Sequence, residues 1–257
     1  MARIGGVTVQ SVTRALDILE CFNGPIEELG ISEISEQMGL SKSTIYGLVN
    51  TLLVKGYLEQ DEKSKRYKLG IKLFELGYVV NSRMDLGKES KTFCEELAKK
   101  YSATVHVAAR FGNEVVYVDK VDMPDAFVVF SQVGKRASMY CTGVGKAVLA
   151  FLDGKQISDY LKNIKFNKYT DNTITNIDDL KEELKKIKEN GYAVDNEEIV
   201  HGLRCVSAPI FDKSNLPIAA ISVSKTSGKI EMEQIKNIAL DVMTVAQQIS
   251  RRLGYNK

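Results

Sequence analysis

At 257 residues, with 44% hydrophobic and 26% charged side chains, the chain has the makeup of an ordinary globular protein, and its length admits one large domain or two smaller ones. A formal charge of +2 excludes a uniformly basic binder, so affinity for an anionic partner must come from a local patch. No run of 18 apolar residues occurs, MARIGGVTVQSVTR lacks an apolar signal core, and Cys21, Cys94, Cys141 and Cys205 form no C-x-x-C pair, so the sequence predicts a cytoplasmic protein off the membrane, without a disulfide framework or structural zinc.

In chain order, Val12, Ala15, Leu16, Ile18, Leu19 and Phe22 recur at helical spacing until Asn23, Gly24 and Pro25 end the segment. A second short helix is predicted from about Gly30 to Met38, with Gly39 placed for a left-handed cap. Ser41 is suited to cap a third helix whose apolar stripe is Ile45, Leu48, Val49 and Leu52. Gly56 closes it, and YLEQDEKSKRYKLG reads as a hairpin around a polar turn. Three short helices and a hairpin in this order predict a winged helix-turn-helix over residues 1–70. A helical stretch over 71–84 then serves as a linker, and the rest, 85–257, forms a second domain.

That second part is richer in strands. TVHVAARF and EVVYVDKV flank the turn residues Gly112 and Asn113, AFVVFSQV adds a strand, and CVSAPIFD and PIAAISVSK add two more. Helices are predicted over about 145–152, in DDLKEELKKIKENG, and in the closing EMEQIKNIALDVMTVAQQISRRLG. The mixture predicts an α+β sensor-type sheet domain.

Between Lys42 and Lys72 seven basic residues face three acidic ones, an excess of four positive charges on the third helix and hairpin, whereas the preceding forty residues are net acidic. A polar helix face or a basic hairpin alone more often just faces water; their combination in this order points to a DNA duplex. Lys42, Ser43, Thr44, Tyr46 and Asn50 are expected to face a major groove, and Lys65 and Arg66 on the wing to contact phosphates or the minor groove.

The stretch GYAVDNEEIVHGLRCVSAPIFD, with Gly191, Asp195, Glu198, Cys205, Ala208, Ile210, Phe211 and Asp212 at their present spacing, resembles the signature of the IclR family of bacterial transcriptional regulators. SVTRALDILECF, GLSKSTIYGLVNTL and YCTGVGKAVLAF resemble other parts of that family, so the likeness spans nearly the whole chain. It implies a GAF-like effector-binding and oligomerisation domain behind the winged helix and control by a small carboxylate metabolite of a catabolic operon. It also implies a homodimer or dimer of dimers on a pseudo-palindromic double-stranded operator, with no enzymatic activity and no cofactor or metal. Two departures stand out: Gly47 replaces a long basic side chain within the recognition helix, and Lys91 stands about where relatives carry proline.

CTGVGKA is not a phosphate loop, because that pattern needs glycine at Tyr140 and a hydroxyl at Ala147. The resemblance instead assigns the effector's carboxylate to the backbone of Gly143 and Val144, and the polar ring to Asp195, Cys205, Ser222 and Ser224. Apolar walls are expected from Ala126, Val129, Ala137, Leu203 and Ile210. Ser222 and Ser224 share one strand face by their spacing, but Cys205 and Ile210 differ in parity, so both can line a pocket only if the strand bulges between them, as at Pro209. Other readings remain: a sensor acting through protein partners, a cysteine hydrolase using Cys205, His201 and Asp195, and a metal held by Asp195, Cys205 and a histidine. No oxyanion arrangement supports the hydrolase, and a strand cysteine is more often a buried small hydrophobe.

Overall fold

A computed structural model of the chain describes residues 7–23, 26–82, 85–123, 131–226, 228 and 232–256. It divides into two compact units, 1–84 and 85–257.

The first unit runs α1 (Gln10–Glu20), α2 (Ile31–Met38), α3 (Lys42–Val54), β1 (Leu58–Gln60), β2 (Tyr67–Leu69) and α4 (Ile71–Ser82). Its core is Ile18, Phe22, Leu29, Ile34, Ile45, Val49, Leu52, Leu58 and Tyr67. Gly39 takes φ of 62°, open to glycine without a side-chain clash, and ends α2. The Ser41 hydroxyl accepts the Thr44 amide at 3.3 Å and so starts α3. The β1–β2 hairpin pairs Leu58 with Leu69 and Gln60 with Tyr67, and Tyr67 also bridges Leu29, fastening the wing to the segment before α2. Of the apolar residues at helical spacing in α1, Val12 and Leu16 are exposed; the inward side of α1 and the turn after it is carried by Ile18 and Phe22.

The second unit contains α5 (Asp85–Tyr101), β3 (Thr104–Phe111), β4 (Glu114–Val121), β5 (Arg136–Ser138), α6 (Gly143–Leu149), α7 (Gly154–Asn163), α8 (Ile177–Asn190), β6 (Ala193–Asn196), β7 (Leu203–Phe211), β8 (Pro217–Thr226) and α9 (Met232–Arg252). Its sheet has the order β5-β4-β3-β8-β7-β6, and every pairing is antiparallel. Strand side chains alternate between faces, so each strand serves two neighbourhoods. Val105, Val206, Ala208, Ile221 and Val223 pack with Leu97 of α5 and Ile238, Val242 and Ile249 of α9. Ala108, Val115 and Ala220 pack instead with Val148 of α6 and with Leu180 and Leu184 of α8. Cys205, Ser207, Ser222 and Ser224 stand on this second side, where a cavity is left beside the apolar packing.

Ile210 belongs to the α5–α9 core and is fully buried there, which corrects its expected place in the pocket wall. β7 keeps regular register with β8 from Leu203 through Ile210, and its irregularity falls only between Ile210 and Phe211. Pro209 introduces no bulge that would turn Ile210 toward Cys205. Ala126 and Val129, with most of the predicted AFVVFSQV strand, lie outside the described residues.

Candidate functional site

The cavity on the α6 side of the sheet encloses about 420 Å³, within the range of small-molecule sites. α6 opens it. Thr142 caps this helix by accepting the Gly145 amide at 3.1 Å, and its hydroxyl donates to the Ser138 carbonyl at 2.7 Å. The first amides of a helix have no intrahelical acceptor, so those of Gly143 and Val144 are left for an outside one. A Cβ on Gly143 would lie 2.5 Å from Ser207 Oγ, so the helix start approaches β7 more closely than any side chain permits.

β6 and the turn after it form a second wall. Asp195 pairs with Cys205 in the ladder, and its Oδ1 accepts the Glu198 amide at 2.8 Å. Thr170 and Thr173 hold that turn by donating to the carbonyls of Glu197 and Glu198, each at 2.6 Å. Glu198 turns inward to Lys146, whose Nζ donates to Glu198 Oε1 at 2.5 Å, to Glu183 Oε1 at 2.9 Å and to the Val194 carbonyl at 2.8 Å. The Lys146 side chain is 1% exposed. Burial opposes its charge, but Glu198 and Glu183 more than offset this, and the lysine is held protonated. Burial, reinforced by the charge of Glu198, pushes the Asp195 carboxyl up to about 7.

The floor is Ser222 and Ser224 of β8 and His106 of β3. His106 Nε2 lies 2.5 Å from Ser131 Oγ and Nδ1 lies 3.4 Å from Ser224 Oγ, while Tyr117 leans on the ring at 5.2 Å between centroids. Burial, then the charge of Lys120, holds the imidazole down to about 4, so it is neutral at physiological pH. Lys135 and Arg136 also line the cavity; Arg136 pairs with Glu114 at 3.0 Å and covers the Phe111 ring at 4.6 Å.

In the first unit, Lys42, Ser43, Tyr46 and Asn50 are exposed along α3, and Thr44 is half-buried. Ser43 and Thr44 are partly committed: their hydroxyls lie 3.0 and 2.9 Å from the Ser41 cap. Lys65 sits at the wing tip with φ of 58°, in a turn closed by Asp61, which accepts the amides of Lys63 and Ser64 at 3.0 and 2.6 Å. Arg66 is drawn back toward α2, where its Nη2 reaches the Glu28 carbonyl at 2.9 Å and the Glu33 carboxylate at 2.8 Å.

Two family models match the chain: the IclR helix-turn-helix domain over residues 11–62, and the bacterial transcriptional regulator IclR C-terminal domain over residues 78–251. The Escherichia coli HTH-type transcriptional regulator XynR is 34% identical over 96% of this chain and 98% of its own length. The E. coli regulator KdgR is 33% identical over 97% and 94%. The Thermotoga maritima IclR crystal structure superposes with a TM-score of 0.79 at 36% identity, covering 95% of this chain and 99% of the other. The chain belongs to the IclR family. It is therefore a DNA-binding transcriptional regulator with a C-terminal effector-binding domain, and its relatives are regulators rather than enzymes.

Within this IclR fold, Gly143, Val144, Asp195, Leu203, Cys205, Ser222 and Ser224 come together around one cavity, with Ala137 beside them. His201 does not line it, and burial, then the charge of Asp195, pushes the Cys205 thiol far up, so the residues of the imagined cysteine hydrolase are neither assembled nor activated. Among the described residues no group of three His, Cys, Asp or Glu side chains is poised for a metal, and no helix is long and apolar enough to cross a membrane. His106, Tyr117, Ser131, Thr142 and Tyr169 are lining residues that the sequence reading missed. Period-two alternation places His106 on the same face as Ala108, a signal available in TVHVAARF; nothing local marks Ser131 or Tyr169, which reach the cavity from outside the strands.

Proposed function

We propose that this regulator senses a small organic carboxylate in the cavity of its second unit and changes its affinity for an operator controlling a catabolic operon. The observation that carries this is the convergence of two helix-start amides, a carboxyl whose pKa is raised to about 7 and two strand hydroxyls on one cavity of about 420 Å³. An anion is favoured at Gly143 and Val144 because their amides point outward from the α6 start. Asp195 accommodates a second carboxylate when it carries a proton, just as two close carboxyl groups elsewhere share one.

On the DNA side, Lys42, Tyr46 and Asn50 offer the exposed face of α3 to a major groove, and Lys65 offers a charge at the wing tip. Ser43 and Thr44 sit at the start of that helix, suited to phosphate oxygens. Gly47 leaves open space, so this chain lacks a groove contact there without a steric reason. Exposed Val12, Leu16, Phe74 and Tyr78 supply apolar surface of the kind that associates, in line with a homodimer, or a dimer of dimers, on a pseudo-palindromic site.

The test is a thermal-shift screen of the full chain against carboxylic acids, followed by retention of DNA fragments flanking its own gene. A ligand at a hundred times its Kd stabilises the native state by about 2.7 kcal/mol. A binding acid that also alters DNA retention supports the reading; if no acid stabilises the protein, or a stabilising acid leaves DNA retention unchanged, it is wrong.

A further inference from the structure

Given the placement of α3 in a major groove proposed above, we infer that its outward face reads A·T base pairs, with Asn50 taking an adenine edge and the apolar groups around it meeting thymine methyls. Each half-site of the operator is therefore A·T-rich at its core.

The exposed residues of α3 are Lys42, Ser43, Tyr46, Gly47, Asn50, Thr51 and Val54. At about 100° per residue, Ser43, Gly47, Asn50 and Val54 fall along one ridge, and Tyr46 and Thr51 flank it on either side. Lys42 lies about 100° around the helix from Ser43, off that ridge. The helix contains no arginine and no acidic residue; Lys42 is its first residue and Lys55 follows its last. Positive charge thus brackets the face without entering it, which suits the two lysines to phosphates.

Base edges in the major groove ask different things of a side chain. Guanine presents two acceptors and is read by arginine or lysine, adenine presents an acceptor and a donor and is read by asparagine or glutamine, and thymine adds a methyl group that favours apolar contact. The ridge of α3 carries no group of the first kind. It carries one of the second, since Asn50 is the only amide side chain in the helix. Groups of the third kind surround it: Val54 is 75% and Tyr46 60% exposed, apolar surface that the core leaves uncovered. Thr51 spends its hydroxyl proton on the Gly47 carbonyl at 2.9 Å, so it has a methyl, not a donor, to offer. A Cβ at Gly47 would meet nothing within 4 Å, so the glycine answers no packing need of the fold. On the ridge, its bare backbone lets the helix sink toward the base pairs, where a side chain as short as Asn50 reaches them.

The experiment selects duplexes with a randomised core on the full chain and sequences those retained. Asn50→Ala is expected to lose the preference for adenine at one position of each half-site, from about tenfold or more over the other bases to within about threefold, while the rest of the site is kept. Replacing thymine by deoxyuridine in the best wild-type site removes only methyl groups and should weaken binding about threefold or more. Gly47→Arg enters open space, places on the ridge the side chain that reads guanine, and should move the selected core toward a G·C pair. Unchanged melting certifies both variants as folded, and the deoxyuridine comparison needs no variant.

If the wild-type core is G·C-rich, if Asn50→Ala keeps its full adenine preference, or if deoxyuridine is bound as tightly as thymine, the A·T assignment fails, while a sequence changed by Gly47→Arg keeps α3 in the groove. If neither substitution changes the selected sequence, α3 is not the reading helix and both fail.

Discussion

Arg66 on the wing is joined to Glu33 in α2 across 2.8 Å, and the same carboxylate accepts the Gly30 amide at 2.7 Å that begins that helix. The guanidinium therefore ties hairpin to helix. The Gly30 amide, then Arg66, holds the Glu33 carboxyl below the ordinary carboxylate range, so this tie is present at neutral pH and is lost as pH falls through that range.

The two neighbouring wing cations are accordingly expected to differ. Lys65→Ala should lower the slope of log affinity against log salt by about 0.9, the loss of one phosphate contact. Arg66→Ala should leave that slope closer to wild type and instead lower the unfolding midpoint of the first unit. Fluorescence anisotropy on DNA across a salt series, paired with urea melts, separates the two; equal slope changes would return Arg66 to the DNA interface.

Asp195 predicts a pH signature. Its folded pKa of about 7 lies above the unfolded value of 3.8, so the folded state binds the extra proton between them, and stability present below the unfolded pKa is lost as pH rises through 7. Asp195→Asn removes this term and should melt higher than wild type at pH 8, by up to about 4 kcal/mol in free energy, with the two converging near pH 4. Carboxylate binding to wild type should weaken as pH rises from 6 to 8, because the ligand's charge favours protonated Asp195, and this dependence should flatten in the variant. Calorimetry at three pH values checks both.

Gly143 and Ser207 should behave as a coupled pair. A Cβ on Gly143 meets Ser207 Oγ at 2.5 Å, so Gly143→Ala should destabilise the second unit by about 1–3 kcal/mol and blunt the ligand response. Ser207 Oγ is buried without a hydrogen-bond partner among the described residues, so Ser207→Ala alone should be neutral or mildly stabilising. The double variant should recover most of the loss, giving a favourable coupling in a denaturation cycle. Strict additivity would mean that the backbone, not the hydroxyl, sets the limit.

Lys146→Met should cost the second unit about 3–5 kcal/mol, because it strands the buried Glu198 carboxylate. Lys146→Met with Glu198→Gln removes that stranded charge and should recover much of the loss. The comparison is made by urea unfolding at pH 7, and an equal loss in single and double variants would assign the effect to packing alone.

Much of the fold was legible because local chemistry decides it: the Ser41 cap, the left-handed Gly39 and the stripe of α3 each fix their element without distant help. Period-two alternation likewise placed Ser222 and Ser224 together and warned that Ile210 could not join Cys205 without a bulge, which the ladder does not contain. The tie of Arg66 to Glu33 was not legible because a basic side chain on a wing carries no local sign that an acidic partner 33 residues earlier waits beside it. Lys146 was unread as a buried charge for the same reason, since its carboxylates come from α8 and the turn after β6. His106 and Ser131 meet across 25 residues, and only the folded sheet brings them within reach.

The alternation of β7 and β8 separates two kinds of mutational risk. Val206, Ala208, Ile221 and Val223 anchor the helical layer, whereas Cys205, Ser222 and Ser224, their immediate chain neighbours, look into the cavity. The cavity lining can therefore change at every second position of these strands while the intervening residues keep the scaffold intact, which makes the same two strands the natural place to begin when redesigning the cavity.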